Sequence, residues 1–159
     1  MTTTIVTPDQ DTIVAEIQIS APPERIFKAL TNADDLQRWF NGGADCPVKF
    51  WKMDPRVGGQ YSYATRAGSV EINSVKSFEC HGEILECDPP RVLVYTWIAS
   101  WHDTDDSATT VRWELTPAHG GTHVKVTHSG LASLPVARKD YSGGWPGVVN
   151  NLKKFVEGK

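Results

Sequence analysis

Between residues 48 and 129 turn-forming residues recur at short intervals, and no segment has the length and period of a helix that could carry the chain across a sheet. The runs between the turns, at 48–54, 59–66, 76–87, 91–100, 109–116 and 122–129, read as strands. Their joints include Pro55 with Gly58-Gly59, Asp88-Pro89-Pro90, the polar stretch 102–107, and His119-Gly120-Gly121. Parallel neighbours need a crossover of about a dozen residues or more, so strands this closely spaced fold as an antiparallel meander.

The flanks complete the pattern. Segment 11–20 sets Ile13, Ala15, Ile17 and Ile19 against a more polar face, the period of a half-buried strand. Pro22 and Pro23 suit a helix start, and Ile26, Phe27 and Leu30 follow as its inner face. Asn32 offers a cap for a second short helix carrying Leu36, Trp39 and Phe40, which Gly42-Gly43 ends. Segment 143–157 places apolar groups at 145, 148, 149, 152, 155 and 156, one helical stripe, with Pro146 in its first turn. The order β-α-α-β-β-β-β-β-β-α describes an α+β domain, a curved seven-stranded antiparallel sheet whose concave face the final helix covers. No repeat or composition shift divides residues 1–159, which read as one domain with its core at about 11–157 and a flexible tail at 1–10.

Charge and composition limit the partners. With 16 Lys+Arg against 19 Asp+Glu the net charge is −3, too little positive field to neutralise phosphates, so nucleic acid is not expected. No run is apolar for long enough to enter a bilayer, and the first residues lack a signal-peptide pattern, so a cytoplasmic location is expected. Cys46, Cys80 and Cys87 stand in no metal or redox spacing and read as buried thiols. No phosphate loop, nucleophile elbow or His-Glu-x-x-His pair is present, so no cofactor is expected. The loop His102-Asp103-Thr104-Asp105-Asp106 lacks the spacing of a calcium loop and reads as a charged hairpin tip rather than a metal site.

The large side chains are unusually many for a chain of 159 residues: six Trp, four Tyr and five Phe. Alternation turns Tyr61 with Tyr63, Tyr95 with Trp97, Trp113, and His128 toward one face. Trp39, Phe40 and Phe50 from the early segments, and Trp145, Val149 and Leu152 from the last helix, join them as a candidate lining. From the residues alone this set forms either a solid core or the wall of a cavity. His128 is the most interesting candidate for acid–base chemistry; a structural histidine tying down the Ser129-Gly130 turn explains it as well. His81 and Glu83 share a strand face that alternation assigns to solvent.

The ordered series APPERIFKALT (21–31), LQRWF (36–40), DPRVGG (54–59), GEILE (82–86) with DPPRVLVYTW (88–97), TVRWEL (110–115), THSG (127–130) and GWPG (144–147) resembles the START-like (SRPBCC) superfamily. It is most similar to the branch named after the heat-shock-protein-90 ATPase activator homologues. The resemblance implies the helix-grip fold and a deep cavity between sheet and helix, which members use for lipids, sterols, polyketides or other apolar molecules. It makes the candidate set a ligand lining. Binding or transport of a small hydrophobic ligand is the expected function. An enzyme acting on such a ligand (cyclase, dehydratase or hydrolase, with His128 and a tyrosine as acid and base) and a chaperone-associated interaction domain are the alternatives. A homodimer through an open sheet edge and a chaperone contact stay open as partner readings.

Overall fold

The computed structural model describes residues 3–8, 10–40, 48–65, 79–99 and 108–158. Its strands are β1 (Thr3–Val6), β2 (Ile13–Ile19), β3 (Val48–Met53), β4 (Gln60–Thr65), β5 (Glu79–Asp88), β6 (Val92–Ala99), β7 (Ala108–Ala118) and β8 (Gly121–Ser129). Helices α1 (Pro23–Thr31) and α2 (Ala33–Trp39) lie between β2 and β3, and α3 (Pro135–Glu157) closes the chain. One antiparallel sheet runs in the order β1-β2-β8-β7-β6-β5-β4-β3. The meander β3 to β8 is the one expected from the short joints, and β2 joins it beside β8, with Ile17 opposite Val124. This α+β arrangement, a curved antiparallel sheet with a C-terminal helix, is the helix-grip architecture.

Alternation explains which face is inside. Ile13, Ala15, Ile17 and Ile19 of β2, Val111, Trp113 and Leu115 of β7, and Val124, Val126 and His128 of β8 are all buried, while their neighbours in sequence are half-buried or exposed. The tightest joint follows the same chemistry. Ala118 pairs with Gly121, leaving His119 and Gly120 as a two-residue loop with φ of 51° and 76°, the positive values that a hairpin of type I′ requires.

The sheet has eight strands where seven were expected. Thr3–Val6, expected within a flexible tail, pairs with β2, Val6 opposite Ile13 and Thr3 opposite Glu16. Four residues are too short for periodicity to register, although all four, Thr3, Thr4, Ile5 and Val6, are β-branched and suit a strand.

The helices are set by caps and by one long stripe. Asn32 ends α1 and begins α2, its side-chain oxygen accepting the Asp35 N–H at 3.0 Å, and Arg25 ties the pair through Asp35 at 3.2 Å. Helix α3 begins at Pro135, two turns before the expected start at 143, and Pro146 lies in its interior rather than its first turn. Gly143, Gly144, Pro146 and Gly147 weaken a helix locally, which is why they read as its beginning. Packing overrides them, because Ala137, Tyr141, Trp145, Val149 and Leu152 form one buried stripe across the whole length. At its far end Glu157 accepts the Ser20 N–H at 2.8 Å and Lys153 donates to the Gln18 carbonyl at 3.3 Å, pinning α3 to β2. Arg25 lies over the Phe155 ring at 5.1 Å. Gly42-Gly43, Cys46, residues 76–78 and the loop 102–107 fall outside the described residues.

Candidate functional site

The inner face of the sheet and the stripe of α3 enclose an aromatic array with Trp97 at its hub. Its ring centroid lies 5.8–6.5 Å from those of Tyr63, Phe40, His128, Tyr61, Tyr95 and Tyr141. Trp113 meets Trp145 of α3 edge to face at 5.7 Å, and Trp145 meets Phe40 at 6.5 Å. These are the tilted and perpendicular contacts that ring quadrupoles favour. Trp39, Phe40, Tyr61, Tyr63, Tyr95, Trp97, Trp113, His128, Trp145, Val149 and Leu152 therefore share one interior, with Phe40 half-buried at its margin.

Phe50 does not join them. It stands half-buried on the outer face, with Lys52 Nζ 5.3 Å from its ring, and Trp51 takes the inward place. An irregularity in register between Val48 and Phe50 shifts the parity, and Trp51 stacks on Tyr63 at 4.7 Å and 17°. Two further interior residues escaped the sequence reading. Tyr141 lies before the expected helix start, and Thr109, polar and at a strand end, is 1% exposed. Trp51 had one available signal, since pairing β3 with β4 brings it opposite Tyr63.

The interior indole donors, and the Tyr61 hydroxyl, find defined acceptors. Trp39 donates to the Ala29 carbonyl at 2.8 Å and Trp51 to the Phe40 carbonyl at 3.0 Å. Trp97 donates to the Tyr141 hydroxyl at 2.8 Å and Trp113 to the Tyr95 hydroxyl at 2.9 Å. Tyr61 reaches across β5 to the Thr96 carbonyl at 2.6 Å. It can do so because position 82 is glycine: a Cβ there would stand 2.0 Å from that same carbonyl oxygen.

His128 is the best-connected polar group. Trp145 donates its indole N–H to Nδ1 at 3.1 Å, and an indole nitrogen can only donate, so Nδ1 carries the lone pair. The neutral ring then holds its proton on Nε2, which faces Thr109 Oγ1 at 2.6 Å; the Thr109 hydroxyl in turn donates to the Trp97 carbonyl at 3.0 Å. A relay of α3, β8, β7 and β6 results, with both ring nitrogens of His128 occupied.

The electrostatics are those of a neutral interior. No Asp, Glu, Lys or Arg of the sheet is buried among the described residues. Burial pushes the phenols of Tyr61, Tyr95 and Tyr141 well above their ordinary value; the nearby Cys80 sulfur adds to the rise at all three. Burial also raises the Cys80 thiol, only partly offset by its contact with Tyr61. Among the described residues the Tyr95 oxygen accepts from Trp113, and nothing accepts the Tyr95 O–H. A buried hydroxyl left so costs on the order of 1–3 kcal/mol.

His81 and Glu83 are exposed on the opposite face, beside a groove of about 450 Å³ that Lys52, Gln60 and Ser62 also line. Among the described residues no cluster of three His, Cys, Asp or Glu side chains could hold a metal ion, and no helix is long and apolar enough to cross a membrane.

The sequence matches the family model described as Activator of Hsp90 ATPase homolog 1-like protein over residues 20–157. Among solved structures, the fold is similar to a Rhodobacter sphaeroides protein at 17% identity, with 100% of both chains covered and a TM-score of 0.79. A Mesorhizobium loti protein is 27% identical, with 92% of this chain and 96% of that one covered and a TM-score of 0.68. An AHSA1-like protein of Aeromonas hydrophila is 23% identical, with 92% of each chain covered and a TM-score of 0.71. No curated protein matches the sequence.

Proposed function

Since this chain belongs to the family of Activator of Hsp90 ATPase homolog 1-like proteins, we propose that it binds and carries a small, neutral, hydrophobic molecule between the inner face of its sheet and α3. The observation that carries this reading is the composition of the interior. Large rings from β3, β4, β6, β7 and α3 meet there with no buried charge on the sheet. A flat, uncharged guest, lipid-like or polycyclic, is the molecule such rings would hold, by stacking and by removal of apolar surface from water.

Turnover is the less favoured reading. His128, the acid–base candidate of the inner face, has both ring nitrogens engaged by Trp145 and Thr109. Both partners hold the ring as part of the packing between sheet and α3, an arrangement that suits a carrier. Cys80 and Cys87 are free thiols, which suits a reducing compartment and the cytoplasm. The family's name suggests contact with an Hsp90 chaperone as a second reading, and the exposed apolar side chains of Ile5 and Val6 on the edge strand β1 are where such a partner would dock.

Tryptophan fluorescence and thermal melting across a panel of hydrophobic compounds test the proposal. A ligand at a hundredfold excess over its Kd should stabilise the fold by about 2.7 kcal/mol and change the emission of Trp97 or Trp145. A panel without a single effect on either signal overturns it, and recovery of a chaperone by the same protein would favour the second reading.

A further inference from the structure

We propose that Tyr95 is the hydrogen-bond donor to the bound molecule, so that the site selects neutral hydrophobic compounds bearing a carbonyl or ether oxygen over hydrocarbons of the same shape. This rests on the reading of the inner face as a ligand site and specifies its guest. A phenol carries one donor and accepts at its oxygen. At Tyr95 the oxygen is used by Trp113 Nε1 at 2.9 Å, while among the described residues the hydroxyl hydrogen meets no acceptor.

Its neighbours differ. Tyr61, whose ring lies 4.8 Å away, gives its hydrogen to the Thr96 carbonyl, and Trp97, Trp113 and Trp145 each donate to a side chain. Tyr95 is 4% exposed, so bulk water is no substitute. Position completes the argument, because the Trp113 indole that binds the Tyr95 oxygen also packs on Trp145 of α3. The free O–H thus stands where sheet and helix face each other, and the incoming Trp113 bond makes it a better donor. A carboxylate guest would bring a charge to an interior in which no cation of the sheet is buried, so the acceptor is neutral.

Matched pairs test this by calorimetric titration of the whole protein: fluorenone with fluorene, anthrone with dihydroanthracene, and cyclohexyl phenyl ketone with benzylcyclohexane. In the pairs that bind, the ketone should be favoured about tenfold, or about 1.4 kcal/mol. Tyr95→Phe should bring each pair to within roughly twofold. Because that variant also strips Trp113 of its acceptor, the infrared carbonyl band of fluorenone bound to the unaltered protein gives an independent reading. A shift to lower frequency supports the donor, and a band where hydrocarbon solvent puts it overturns the inference. Equal affinities within the pairs, or a ketone preference that survives in Tyr95→Phe, overturn the role of Tyr95 and leave the carrier reading standing. Failure of every compound to bind removes that reading and this inference with it.

Discussion

Replacing Thr109 by valine isolates the relay that joins α3 to the sheet. The two side chains have nearly the same volume, so no cavity term arises at a site that is 1% exposed. The lost hydroxyl serves two partners, taking the His128 Nε2 proton at 2.6 Å and satisfying the Trp97 carbonyl at 3.0 Å. Both are buried and neither has water to turn to. Losing a hydrogen bond from a buried group costs about 1–3 kcal/mol, so the two together predict a loss of roughly 2–6 kcal/mol. For a domain of this size that lowers Tm by roughly 4–24 °C. Urea unfolding followed by tryptophan emission measures it, with the midpoint falling at unchanged m. Thr109→Ser keeps the hydroxyl and deletes one methyl, so it should cost only about 1 kcal/mol. A valine variant within about 0.5 kcal/mol of the parent, or a serine variant as damaged as the valine one, would refute the relay.

Three further outcomes follow from the same geometry. Trp51→Ala should cost about 3–5 kcal/mol by emptying a buried position, while Phe50→Ala on the outer face should cost under about 1 kcal/mol; chemical denaturation of both variants checks the strand parity. Gly144→Ala should stabilise α3 by about 1 kcal/mol in a thermal melt, since a Cβ there meets nothing within 4 Å, and a loss instead would place an unseen neighbour at that face. Alkaline titration should expose the neutral interior. The folded phenols of Tyr61, Tyr95 and Tyr141 ionise above the ordinary 10.0, so the unfolded chain releases those protons first and holds fewer of them. Stability is therefore full below pH 10 and falls above it, by up to about 4 kcal/mol per pH unit for the three. Phenolate absorbance from these residues should rise only together with unfolding, and an earlier rise in the folded protein contradicts their burial.

Much of this was legible in the sequence because period-two alternation and turn residues report directly on a half-buried sheet. The pairs Tyr61 with Tyr63, Tyr95 with Trp97, and Val126 with His128 needed nothing more than parity. Where parity broke, the reading broke: the irregular register after Val48 moved Trp51 inward and Phe50 outward, and a bulge leaves no trace in hydropathy. The start of α3 was hidden because local propensity at Gly143, Gly144 and Pro146 opposes a helix that only tertiary packing sustains. Tyr141 and its bond from Trp97 were lost with that turn. β1 was too short to show a period, and its partner β2 is what defines it. The tautomer of His128 and the idle hydrogen of Tyr95 depend on side chains from four elements, and no spacing along one chain encodes them.

Native mass spectrometry of the protein purified without detergent or organic solvent, followed by denaturation and identification of any released compound, addresses the central claim most directly. The account predicts a mass above that of the polypeptide, with a neutral apolar molecule released on unfolding, or the same adduct formed after incubation with a hydrophobic cell extract. The bare polypeptide mass alone, both as purified and after incubation, would contradict it and mark the aromatic interior as a core and nothing more.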